Sequence, residues 1–149
     1  MITIKHRFSG VTLCEFDVET VKHAAEKGKS NLRGAYLRGA YLRGADLGGA
    51  DLGGADLGGA DLGGADLRGA YLDGEKLTKT PLSFAGLRYW CLISDGYMRL
   101  GCKCFTHEEW ANFNDEEIKE MDDGALEFWK QWKVPLLAMC AAHAFKPGE

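Results

Sequence analysis

The residues best spaced for chemistry are Cys102, Cys104 and His107, in the order Cys-x-Cys-x-x-His. Cys91 lies across a hairpin that Asp95-Gly96 predicts. Alternation along a strand puts Cys102 and Cys104 on one face, from which two thiolates can reach one zinc ion. Zinc-binding cysteine pairs are usually about two to four residues apart, and the set is incomplete without Cys91. Buried or edge cysteines are therefore the preferred reading, with no metal site. Nucleophilic catalysis requires a thiol or hydroxyl held beside a base. His107 with Glu108, Glu109 and a nearby cysteine supplies the parts, but nothing in the spacing assembles them. Thr106-x-x-Glu109 is a capping box that already accounts for Glu109 and makes His107 a first-turn helix residue. His6, His23 and His143 stand apart and read as structural. The chain is expected to be non-enzymatic and to carry no cofactor. A metal-binding or enzymatic module around Cys102, Cys104 and His107 is kept as an alternative.

The elements that would position these groups are dominated by a period of five. Leucine recurs at 32, 37, 42, 47, 52, 57, 62, 67, 72 and 77, alanine at 35 through 70, and glycine at 34 through 74. Leucines five apart spread around a helix rather than forming a stripe, and on a flat strand an odd period sends them to alternate faces. The pattern is satisfied if the chain turns every five residues in one sense, with leucine and alanine inside. In Leu-x-Gly-Ala, glycine takes the third position of a four-residue turn, where a type II turn needs positive φ. So strict a period predicts a stacked solenoid.

Four consecutive copies, Ala45 to Gly64, read Ala-Asp-Leu-Gly-Gly. On this motif, residues 31–77 resemble the pentapeptide-repeat family. The resemblance implies a mainly β chain built on a right-handed quadrilateral β-helix with four repeats per coil, here about two to three coils. Residue n then lies against residue n+20, so Arg33, Arg38 and Arg43 stack on Gly53, Gly58 and Gly63. The family's aspartate position commonly serves the turn and the backbone. Tyr36, Tyr41 and Tyr71 replace it, and with Arg38, Arg43 and Arg68 they are the candidate partner-binding residues. Leucine continues at 82, 87 and 92, but Thr80 and Trp90 replace the interior alanine, which leaves a further partial coil over 78–92 open.

So short a stack exposes unpaired backbone and apolar core at both ends and needs covers. Residues 1–30 read as the first: two β-rich runs, 1–8 and 11–16, joined at Ser9-Gly10, then a short helix capped by Asp17 and ending near Gly28. Residues 78–149 read as an α+β module. A hairpin pairs 89–93 with 97–105, Thr106/Glu109 and Asn114/Glu117 start helices, and an apolar helix spans 124–145, either kinked or divided at Pro135. The expected domains are thus 1–30, 31–77 and 78–149.

The net charge of −4 disfavours direct nucleic-acid binding. Nine acids and one lysine between His107 and Glu127 read as a solvated helical face. No segment is long and apolar enough to span a membrane, and five cysteines suit a reducing cytoplasm. The leading expectation is a binding or scaffold protein that presents a rigid surface to a protein partner, with a small anionic ligand as an alternative occupant. The layout also resembles small pentapeptide-repeat proteins of bacteria and their phages, which implies a regulatory or counter-defence role. The family further suggests a DNA mimic acting on DNA gyrase or another DNA-binding protein, but such members resemble longer, acid-studded rods. A homodimer is expected if the terminal modules leave part of the solenoid or the Trp129/Trp132 face uncovered.

Overall fold

From Leu32 onward the chain turns every five residues. The N–H groups of Ala35, Ala40, Ala45, Ala50, Ala55, Ala60, Ala65 and Ala70 each donate to the leucine carbonyl three residues earlier, at 2.9–3.1 Å. The glycine inside each turn has φ between 67° and 75°, the left-handed region that a side chain would strain by about 1–2 kcal/mol. A computed structural model describes residues 1–72, 75–84 and 86–144. Asp73 and Gly74 of the repeat, and Phe145 at the expected helix end, lie outside the described residues.

Backbone pairing runs from residue n to residue n+20. Tyr36 bridges Asp56, Tyr41 bridges Asp61, Asp46 bridges Asp66 and Asp51 bridges Tyr71, all in parallel. Leu37 N–H donates to Asp56 O at 2.9 Å, and Asp56 N–H returns to Ala35 O at 2.8 Å. The leucines from 32 to 77 are at most 3 % exposed and share one core with seven of the alanines. Ala40 is only partly buried. These bridges are single-residue contacts. The regular strands form small antiparallel sheets and a 20-residue helix lies near the C-terminus, so the mainly β expectation holds only in part.

The N-terminal segment finishes one edge of this ladder. Strands β1 (Ile2–Lys5) and β2 (Thr12–Phe16) pair antiparallel, and helix α1 (Val21–Lys27) follows. Thr20 rather than Asp17 caps α1, its hydroxyl accepting from His23 N–H at 3.2 Å. Beyond β1 the chain runs antiparallel to the first turn. Arg7 N–H donates to Gly34 O, and Tyr36 N–H donates to Lys5 O, both at 2.8 Å. Asp46 N–H donates to Glu26 Oε1 at 3.0 Å and Asp51 N–H to Lys29 O at 2.9 Å. Edge donors that would otherwise be left to water are thereby satisfied.

The other edge is finished differently. Strands β3 (Tyr71–Leu72) and β4 (Glu75–Lys76) pair antiparallel, so the chain reverses instead of completing another turn. Gly69 N–H donates to Leu77 O at 2.7 Å. The Thr80 hydroxyl accepts from Leu67 N–H at 3.0 Å and donates to Ala65 O at 2.8 Å. Thr80 breaks the alanine register because its hydroxyl serves the exposed end of the ladder. Among the described residues of 78–92 the register lapses: Leu82 is 38 % exposed and Leu87 packs in a second core, while Leu92 still joins the first.

That second core lies between a sheet and helices. Strands β5 (Leu82–Phe84), β6 (Cys91–Ile93), β7 (Tyr97–Leu100) and β8 (Lys103–Thr106) pair antiparallel in chain order. The single run expected over 97–105 is split at Gly101, whose φ is 58°. Helices α2 (His107–Asn112) and α3 (Asp115–Lys119) each begin with a complete capping box, from Thr106/Glu109 and Asn114/Glu117. Helix α4 (Ala125–Ala144) carries Pro135 inside it as one continuous helix. Trp110 donates its ring N–H to Met98 O at 2.7 Å, and its ring centroid lies 5.3 Å from that of Trp129. Trp129 is only 3 % exposed, so the Trp129/Trp132 face expected to pair two chains is turned inward there.

Replacing Thr80 by valine keeps the shape but leaves Leu67 N–H and Ala65 C=O without this partner. We expect a loss of about 1–3 kcal/mol, read as a lower midpoint in urea unfolding with an unchanged slope.

Candidate functional site

The aspartates of the repeat work for their own backbone. Asp46, Asp51, Asp56 and Asp61 each accept, through Oδ1, the N–H of the glycine two residues on, and Asp66 accepts that of Arg68, at 3.0–3.2 Å. Such an Asx turn fixes the entry to the next corner. Tyrosine makes no equivalent bond. At this position Tyr36 is 55 % exposed, Tyr41 65 % and Tyr71 50 %.

The arginines follow the twenty-residue register. A Cβ on Gly53, Gly58 or Gly63 would meet Nη1 of Arg33, Arg38 or Arg43 at 3.1, 3.1 and 2.8 Å respectively. Glycine on the second turn thus makes room for a guanidinium from the first, beside the aspartate that closes the turn. Tyr36, Arg38, Tyr41 and Arg43 are brought together along neighbouring stretches of the first turn. Arg68 and Tyr71 lie on the second, where Tyr71 pairs with Asp51. Arg68 is held by Asp66, with Nε and Nη2 at 3.0 and 2.8 Å from the two carboxylate oxygens. Hydrogen bonds from the Arg68 side chain, then its backbone, pull Asp66 down to about 2. Lys76 Nζ sits 5.9 Å from the Tyr71 ring centroid.

Cys91, Cys102, Cys104 and His107 are not gathered. Cys102 falls in the turn between β7 and β8 and is exposed, so it does not share a strand face with Cys104. Cys104 lies opposite Arg99 in the sheet. Cys91 is fully buried in β6, and burial pushes its thiol up to about 12. The His107 ring nitrogen Nε2 lies 3.0 Å from Tyr97 O. Among the described residues no group of three or more His, Cys, Asp and Glu forms a metal-ligating cluster.

A cleft of about 550 Å³ separates the repeat from the C-terminal sheet. Arg38 lines it, together with Arg7, Arg88, Arg99 and Lys103, which the sequence reading did not single out. They come from separate segments, and no local motif joins them. The one available signal was β7, where Arg99 stands between the buried Met98 and Leu100.

The profile for pentapeptide repeats matches residues 29–59 and 51–83, with 8 copies in all. Residues 29–83 are pentapeptide repeats. The matched residues run from Lys29 past Thr80. No curated protein and no solved structure matches the chain at a significant level. No helix among the described residues is long and apolar enough to cross a membrane.

Two measurements check these placements. A disulfide-exchange reagent at pH 8 is expected to label Cys102 rapidly, and Cys91 and Cys140 only on unfolding, because burial raises both of these thiols. Rapid labelling of Cys91 in the folded protein would contradict its burial. For Asp66 the folded value lies below the ordinary carboxylate value, so its pairing stabilises the fold above about pH 4 and is lost as pH falls toward about 2. Carboxyl NMR titration should show this depressed midpoint, and Arg68→Ala should raise it, with the backbone N–H of residue 68 still holding it somewhat below the ordinary range.

Proposed function

We propose that this protein is a non-enzymatic binding protein. Its repeat block would be about two coils of right-handed quadrilateral β-helix, with 1–30 and 78–149 as end modules. The block presents Tyr36, Arg38, Tyr41 and Arg43 to a protein partner. The observation that carries this reading is the exchange at the aspartate position. Where aspartate closes the turn it is occupied by its backbone, and where tyrosine replaces it the ring is at least half exposed. A tyrosine on a hydrogen-bonded ladder offers a large amphipathic contact with few torsions to freeze, and arginine beside it adds charge-assisted bonding. Pentapeptide repeats belong to a generally non-enzymatic family of interaction scaffolds, which agrees with this reading. The DNA-mimic reading lacks comparable support, because Arg33, Arg38 and Arg43 lie among the aspartates rather than leaving an acidic ladder.

The test is affinity capture of proteins from the native host, quantified for the natural chain and for a Tyr36→Ala/Tyr41→Ala/Arg43→Ala variant. A direct partner is expected to lose at least about tenfold in affinity when these side chains are removed. A partner held equally by both proteins would place the interface elsewhere. Circular dichroism melts confirm that the variant keeps its fold, since all three side chains project from the ladder.

A further inference from the structure

The cleft between the repeat and the C-terminal sheet concentrates positive charge in a chain whose net charge is −4. Arg7, Arg38, Arg88, Arg99 and Lys103 line it, against one carboxylate, Asp56, among the described lining residues. That carboxylate is already shared. It accepts Gly58 N–H at 3.0 Å, and its other oxygen lies 4.0 Å from Arg7 Nη2.

These cations are held in place by the fold. Arg7 follows β1 along the first turn of the repeat, and its Nη1 donates to Gly54 O at 3.3 Å. Arg38 lies back into the space left by Gly58. Arg88 donates from Nε to the Tyr89 hydroxyl at 3.2 Å, and that hydroxyl in turn donates to Asp122. Arg99 rises from the middle of β7 on the face opposite Met98 and Leu100, with Cys104 beside it in register. Burial first, and the nearby Arg7 charge in addition, disfavour the charged form of Arg99.

Half-burying Arg99 among Arg7, Arg38 and Lys103 raises their mutual repulsion, which an anion in the cleft relieves, while the Arg88 guanidinium packs on Gly124 near Asp122 and Glu127. Guanidinium forks from several directions match the oxygens of a phosphate better than those of a single carboxylate. The wall is also aromatic: Tyr89 and Trp90 line the same cleft. Tyr89, Cys102 and Lys103 also line an adjoining apolar cavity of about 240 Å³, closed by Trp110, Phe128 and Trp129. A volume of about 550 Å³ lies within the range of small-molecule sites and is short for a length of duplex.

We propose that this cleft is a binding site for a phosphate-bearing small molecule of the nucleoside phosphate class, its phosphates held by Arg7, Arg38, Arg99 and Lys103 and its ring against Trp90 and Tyr89. This site shares Arg38 with the tyrosine surface but needs no protein partner.

Isothermal titration of the purified full chain tests it, with nucleoside mono-, di- and triphosphates, pyrophosphate and a short DNA duplex as probes. Saturable binding of a nucleoside phosphate is expected, weakening with salt and tighter than that of pyrophosphate. Arg38→Gln and Lys103→Gln should each weaken it by about tenfold. Arg38 is exposed and Lys103 lies at the start of the last strand, so melts should show both variants folded. Binding of the duplex alone, pyrophosphate binding as tight as that of any nucleotide, binding unchanged in both variants, or no saturable binding at millimolar nucleotide would each overturn the proposal.

Discussion

The structure depends on a backbone ladder in which residue n pairs with residue n+20. That pairing joins only two layers of chain, 32–51 and 52–71, so each layer has one edge left to be finished. The five-residue repeat cannot finish either edge, because every copy presents the same unpaired groups. On one side Lys5, Glu26 and Lys29 supply acceptors. On the other, Leu77 and the Thr80 hydroxyl do. All but Leu77 lie outside the strict repeat, and Leu77 stands where the chain has already reversed. The flanks are therefore needed to complete the ladder, and its geometry fixes where they sit.

The same constraint explains how two cores become one molecule. Strand β6 is buried on both faces: Leu92 packs into the leucine-alanine core, while Cys91 and Ile93 pack into the helical one. Polar ties reinforce that seam. Glu75 on β4 accepts Gly96 N–H at 2.6 Å and the Ser94 hydroxyl at 2.7 Å, and Asp95 accepts Thr78 N–H at 3.0 Å. These bonds join the reversal after the second turn to the β6–β7 turn. Trp90, which lines the cleft, directly precedes β6 in the chain.

Much of this was legible in the sequence, for a definite reason. Strict periodicity reports a local rule, and local rules are what a sequence states openly. The Leu-x-Gly-Ala turn, both capping boxes and the Asp95-Gly96 hairpin are each set within a few residues or by repetition, while the twenty-residue register followed from the resemblance to pentapeptide-repeat proteins. What escaped was non-local or competitive. Asp17 lost the helix cap to Thr20, three residues closer to the helix's first buried alanine. The run 97–105 read as one strand, whereas Gly101 takes left-handed backbone and divides it. Thr80 read as a lapse of the repeat when it is the group that ends it. The cleft could not be read at all, since Arg7, Arg38, Arg88 and Arg99 meet only after the edges are finished.

Within the repeat, uniformity and function exclude one another. A position that holds aspartate is spent on closing its turn, and one that holds glycine is spent on left-handed backbone or on making room for an arginine twenty residues away. Variation is tolerated only where both demands are absent or have been given up. Those positions carry Tyr36, Tyr41, Tyr71 and the arginines. Such a residue has few structural partners, so its chemistry is available to something outside the ladder. Arg68 is the counter-example that sharpens the rule. It varies from its neighbours too, yet Asp66 holds it through two short bonds, and it offers less to a ligand than Arg38 does. Departure from the repeat marks a candidate, and the absence of a tight partner within the ladder is what separates Arg38, aimed into the cleft, from an arginine that only braces its own turn.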